Sequence, residues 1–136
     1  MKEYVLDANA LVRLFRNAPG ADAVDELVRQ AKAGRAHLSI SVVNLTEVLY
    51  VLARYFGQGK ALLCIDKARR VAEPVAADEQ IAIDTAILRI RYKLGLADCF
   101  AAELAMRTGA TLVTADPEFA KLGKHLKVLA LPRHSG

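Results

Sequence analysis

Five short strand-like runs alternate with segments of helical period, and this alternation restricts the chain to an α/β architecture. The runs are Glu3–Leu6, His37–Ile40, Glu73–Ala76, Thr111–Thr114 and Val128–Leu131. Helical patterns fill the intervals. Ala8–Arg16 comes first. The next helix carries Asp22, Asp25 and Glu26 early, where acids suit the positive end of the dipole, and stops at Gly34. Ser41–Phe56, Lys60–Ala72, Asp78–Leu94, Ala97–Thr108 and the short Pro117–Leu122 follow. In Ser41–Phe56, a single core-facing stripe is expected from Val42, Leu45, Leu49, Leu52 and Phe56. Ile83, Ile87, Ile90 and Leu94 share a face of Asp78–Leu94. Short strands joined through helices predict a central parallel sheet of about five strands, flanked by helices on both faces. The tail Pro132–Gly136 is expected to fray.

A length of 136 residues, 54% of them hydrophobic, fits one domain over 1–136 with a sizeable core. No apolar run is long enough to cross a bilayer. The N-terminal stretch enters a strand-like run without a signal-peptide core, so a cytoplasmic protein with no membrane partner is expected. Cys64 and Cys99 fall in helical patterns without metal-ligand spacing and read as buried reduced thiols. His37, His125 and His134 are scattered and read as surface positions, so zinc has no candidate site.

The net charge of +4 and a sequence pI of about 9.2 raise the expectation of an anionic partner, nucleic acid foremost. Trp is absent and aromatics are only 6%, which argues against a stacking platform for single strands.

Open α/β sheets bind ligands at the carboxyl ends of their strands. Asp7 stands at the end of the first run and Asp116 at the end of the fourth, while Asp98 opens the helix after Gly95. Each is also a plausible helix N-cap, and Pro117 suits a first helical position. Glu47 lies within the apolar segment Ser41–Phe56, either on an exposed strip with Asn44 and Arg54 or beside a partner. If these four acids meet, their mutual repulsion calls for compensation. A hard divalent cation, Mg²⁺ or Mn²⁺, suits carboxylate oxygens and would let a phosphate approach. Asn9 and Thr114 flank the acids and are candidates to orient a carboxylate or a water. Asp98 shares a face with Ala102 and Ala105, small residues that allow close approach or tight packing. Arg13, Arg16, Arg89, Lys93 and Lys121 are candidate contacts to a phosphate backbone, or solvated surface charge.

Four pieces in order, "YVLDANALV", "SVVNLTEVLYVL", "GLADCFAAELA" and "GATLVTADPEFAKL", resemble the PIN domain family, and in size the VapC-type toxins of toxin–antitoxin pairs. The resemblance spans nearly the whole chain. It implies a metal-dependent endoribonuclease whose metal-holding catalytic acids are Asp7, Glu47, Asp98 and Asp116, with Mg²⁺ or Mn²⁺ as cofactor. It also implies an RNA substrate, a homodimer and a cognate antitoxin, with the dimer contact expected within Ser41–Ala72. The family's small polar residue after the first acid is Asn9 here, and Cys99 stands where Ala is common. A haloacid-dehalogenase-like phosphatase or a receiver domain would need a second acid that this chain lacks beside Asp7. Flap nucleases resemble the fold but carry segments for which this chain is too short. A housekeeping RNA-processing nuclease and a non-catalytic interaction module stay open.

Overall fold

A computed structural model describes residues 1–134. Its five strands form one sheet, with every neighbouring pair parallel and the order β3-β2-β1-β4-β5. The strands are β1 (Lys2–Leu6), β2 (Ala36–Ser41), β3 (Ala72–Val75), β4 (Thr111–Thr114) and β5 (Val128–Ala130). The helices are α1 (Ala8–Arg16), α2 (Ala21–Lys32), α3 (Val42–Phe56), α4 (Gln58–Arg69), α5 (Glu79–Tyr92) and α6 (Leu96–Thr108). A 3₁₀ segment, Pro117–His125, replaces the expected short helix and is interrupted at Gly123. The fourth helix ends at Arg69 rather than Ala72, because Ala72 is taken into β3 beside Leu38.

The sheet is covered on both faces, as expected for parallel strands. Consecutive residues of one strand serve opposite cores. Leu6 and Val113 pack with Leu11, Val24, Leu38, Ile40, Val48 and Leu52, under α1 to α4. Val5 and Leu112 pack with Leu94, Ala101, Leu104, Phe119 and Leu122, under α6 and the 3₁₀ segment. Cys64 and Cys99 are both buried and free, Cys99 completely so. Among the described residues, no helix is long and apolar enough to cross a membrane.

One helix face differs from the sequence expectation, and the orientation of another is set only by the fold. In α3 the fully inward positions are Asn44, Val48 and Leu52, while Val42 is exposed and Leu45, Leu49 and Phe56 flank the core. The helix is apolar nearly all round, so periodicity alone does not set its phase. In α5, Leu94 just beyond its end is buried, but Ile83, Ile87 and Ile90 are 47%, 40% and 76% exposed. The helix turns Thr85 inward instead and presents the isoleucine stripe outward.

At the far end of the sheet, His37 bridges two carboxylates on neighbouring strands, with Nδ1 2.6 Å from Glu3 and Nε2 2.9 Å from Glu73. The three histidines were expected at the surface, and His37 is indeed partly exposed there. At the other end, the expected fray of the tail does not hold for Pro132 and Arg133, whose carbonyls accept hydrogen bonds from Arg13. Residues 135–136 lie outside the described range.

Phe119 is fully buried and anchors the segment that carries Asp116. Phe119→Ala should cost about 3–5 kcal/mol in urea denaturation. Ile83→Ala, on the outward face of α5, should stay within about 0.5 kcal/mol.

Candidate active site

β1 and β4 are neighbours, yet the chain runs from β1 to β2 on one side and reaches β4 only after α6. That reversal of strand order opens a crevice at the carboxyl ends of the two strands. A cavity of about 310 Å³ lies there, lined by Asp7, Asn9, Glu47, Asp98 and Asp116 together with Arg13 and Arg133. The four acids singled out in the sequence therefore come from four separate elements to one place.

The capping and clustering readings turn out to be compatible. Asp7 Oδ1 accepts from the Ala10 amide at 2.8 Å and caps α1. Asp116 Oδ1 accepts from the Glu118 amide at 2.9 Å and caps the 3₁₀ segment. Asp7 takes a further hydrogen bond from the Thr114 side chain, while Asp116 Oδ2 has no hydrogen-bond donor among the described residues. Asp98 was a candidate cap and is not one: α6 starts at Leu96, with Gly95 in the cap position and no side-chain cap bond. Its carboxylate leans back over Gly95, where a Cβ would stand 3.3 Å from Oδ2. Glu47 enters from the inner part of α3 rather than from an exposed strip with Asn44, since Asn44 is buried.

The acids feel one another. Burial pushes the Asp7 carboxyl up to about 7, helped by the charges of Asp98 and Asp116, while Thr114 and the Ala10 amide partly offset the shift. Asp98 is pushed up to about 6, first by burial, then by Asp116, Glu47 and Glu118. An all-carboxylate donor set in which Asp7 and Asp98 resist ionisation fits a hard divalent cation, because the cation removes the conflict. Among the described residues, no three acids, histidines or cysteines stand ready at metal-ligand spacing. Mg²⁺ tolerates that, since it keeps several waters and needs few direct protein oxygens.

The supporting residues divide. Thr114, buried beneath the site, accepts from the Asp116 amide at 3.0 Å and so fixes the turn that delivers this acid. Asn9 lines the cavity, but its Oδ1 accepts from Arg13 Nε at 2.9 Å, so its oxygen serves the guanidinium rather than a neighbouring carboxylate. Of the five basic candidates only Arg13 lines the cavity. Arg16 lies over the Tyr55 ring, Arg89 donates to the Leu94 carbonyl and Lys121 pairs with Glu118. Lys93, in a left-handed conformation, ends α5.

Sequence reasoning missed three contributors, of which Arg133 lines the cavity itself. Asn44 Nδ2 donates to the Ala97 carbonyl at 3.0 Å and reaches Glu47 Oε1 at 3.5 Å, tying α3 to the start of α6 beside Asp98. Its spacing from Glu47, one helical turn back, was the available signal. Glu118 adds a fifth charge that bears on Asp98.

The folded chain binds the Asp7 proton more tightly than the unfolded chain does. Its contribution to stability is therefore complete below pH 3.8 and is lost as pH rises to about 7. In EDTA this loss should be on the order of 4 kcal/mol by denaturant titration across that window. Asp7→Asn keeps a competent cap and should remove most of that slope. The remainder should come from Asp98 and from His37, which Glu3 foremost raises above 6.5 and whose share is lost only at higher pH.

The family model of the PIN domain matches residues 4–125. Among curated proteins no sequence is similar enough to match. Several solved structures share the fold. A chain of VapBC2 from Rickettsia felis, solved bound to a DNA fragment from their promoter, superposes with a TM-score of 0.77 at 21% identity, covering 96% of this chain and 99% of that one. DNA-bound VapBC from Salmonella typhimurium gives 0.74 at 19% identity, covering 96% and 98%. VapBC-5 from Mycobacterium tuberculosis, a member of the VapBC family of toxin–antitoxin systems, gives 0.66 at 20%, covering 96% and 99%. The parallel sheet in the order β3-β2-β1-β4-β5, the acids at its switch point and the match over residues 4–125 agree: the chain belongs to the PIN domain family.

Proposed function

We propose that this protein is a metal-dependent endoribonuclease acting as the toxin of a VapBC-type pair. The observation that carries the reading is the single cavity into which Asp7, Glu47, Asp98 and Asp116 converge, with Asp7 and Asp98 raised by burial and mutual repulsion. Family membership and the fold shared with chains of VapBC complexes support it.

The four carboxylates would hold Mg²⁺ or Mn²⁺. When bound, such an ion supplies Lewis-acid activation of water and neutralises charge on a phosphoryl oxygen. The chain's own residues do the rest. Asp7 and Asp116 are held by the amides they cap, and Asp7 by the Thr114 side chain as well, so both carboxylates are oriented at the cavity before an ion arrives. Asn44 holds the Glu47 helix against the start of α6, which keeps Glu47 and Asp98 on facing walls. Water attacks the phosphorus in line, leaving a 5′-phosphate and a 3′-hydroxyl. The basic surface draws in the RNA, and the acids reject it wherever no cation compensates them.

Two protein partners belong to this reading, a second copy of the chain and an antitoxin. Apolar side chains stand exposed on two faces: Tyr50, Tyr55, Leu62 and Leu63 on α3 and α4, and Ile83, Ile87 and Ile90 on α5. Exposed apolar stripes of this kind mark interaction surfaces. Leu63→Glu tests the first face, where the homodimer contact is expected. Ile87→Glu tests the second. Light scattering coupled to size exclusion should show one of them turning a dimer into a monomer.

Incubation with total cellular RNA in Mg²⁺ or Mn²⁺, followed by mapping of new 5′ ends, tests the activity. Discrete 5′-phosphate ends should appear, vanish in EDTA and fall by about 100-fold or more with Asp98→Asn. That variant should stay folded, since it relieves repulsion. Continued cleavage in EDTA would sink the metal-dependent reading.

A further inference from the structure

The acidic cavity has two cationic lining residues, Arg13 and Arg133, 120 positions apart in sequence yet bonded to each other through a main-chain carbonyl. The Arg13 guanidinium is fixed on one edge. Its Nε donates to Asn9 Oδ1 at 2.9 Å, and its Nη1 donates to the Pro19 carbonyl at 2.8 Å and the Pro132 carbonyl at 3.0 Å, with the Arg133 carbonyl at 3.5 Å. Among the described residues, Nη2 has no acceptor. The planar group is thus immobilised with donors still unspent, the preorganised state in which arginine binds an anion best.

Arg133 is held by its backbone, not by its side chain. The preceding Leu131 is buried, and its amide donates to the Thr114 carbonyl at 2.7 Å. Gly20, at φ +93°, lies directly beneath, and a Cβ there would stand 3.1 Å from Leu131 Cβ and 3.4 Å from the Pro132 carbonyl. The glycine is needed both for its backbone conformation and for clearance. Beside four acids, the Arg133 guanidinium makes no ion pair among the described residues. Its full fork of donors is open to a ligand.

We propose that Arg13 and Arg133 form a phosphate-binding rim on the α1 side of the acidic cavity, taking a phosphodiester adjacent to the one at the acids. The identity of that ligand as RNA rests on the function proposed above; the site itself is defined by the chain. A free guanidinium fork matches two phosphate oxygens at once, whereas a lysine would supply only a point charge. The layout gives the strand a path: one phosphate is gripped at the guanidinium rim while its neighbour reaches the carboxylates. Gly20, Asn9 and the Arg13 contacts are positioning elements of this rim.

The test is a salt series of fluorescence anisotropy with a short labelled single-stranded RNA in Mg²⁺, using the full chain in an Asp98→Asn background to suppress cleavage. Arg133→Gln should weaken binding about 5- to 100-fold and reduce the slope of log affinity against log salt by about one. Arg133→Lys should restore the slope but only part of the affinity. Gly20→Ala, which leaves both arginines in place but unseats the segment, should reproduce the loss. In the cleaving parent, Arg133→Gln should raise KM with little change in kcat, an effect a folding defect would not give. Unchanged affinity and slope in Arg133→Gln would overturn the proposal, and so would absence of RNA binding by the background protein. Failure of the parent to cleave any RNA, with the binding effects intact, would overturn the nuclease reading alone.

Discussion

The structure depends on a carboxylate that is buried and makes no ion pair among the described residues. Asp7 is only 2% exposed, at the end of the central strand of the sheet. Desolvating such a group is expensive, and the surrounding chain meets the cost with oriented dipoles: the Ala10 amide at the start of α1 and the Thr114 hydroxyl from the adjacent strand. Both come from segments whose position is set by the sheet. The alternation of Val5 and Leu6 between two cores locks β1 in register with β4, and that register delivers Thr114 to Asp7. Stability and site are therefore built from the same strand pairing.

Compensation by dipoles is incomplete, and the incompleteness has a chemical use. A site in which burial and neighbouring charges push Asp7 up to about 7 and Asp98 up to about 6 is one that gains by taking up a positive charge. The basic exterior works in the opposite sense, attracting polyanions that the bare acids would repel. Net charge and local charge differ in sign, and Arg13 and Arg133 line the same cavity as the acids.

Much of this was legible from the residues. Short strand-like runs between helical segments marked all five strands, the exposed edge strand β5 included, with ends displaced by a residue or so. The acids were legible because strand ends and helix starts are marked locally, by Asp7 after Leu6 and by Thr114-Ala-Asp-Pro117. Less was visible where the information is not local. The stripe Ile83, Ile87 and Ile90 has helical period, but a period does not say which side faces inward. Asn44 was hidden by the apolar character of α3, and its burial becomes intelligible only once the Ala97 carbonyl is seen to receive it. Arg133 is the extreme case: nothing near it in sequence announces that it will line the same cavity as Asp7, because the two ends of the chain are brought together only by the sheet.

Cys99 gives the molecule an internal clock. Its thiol is wholly buried, one residue from Asp98 and facing the Leu94 carbonyl, and burial holds it in the unreactive protonated form. A thiol reagent can reach it only when the first turn of α6 lifts away from the core. The rate of modification at Cys99, resolved from that at the buried Cys64, therefore counts how often the wall bearing Asp98 opens, and a sulfur reports on the breathing of a site made of oxygens.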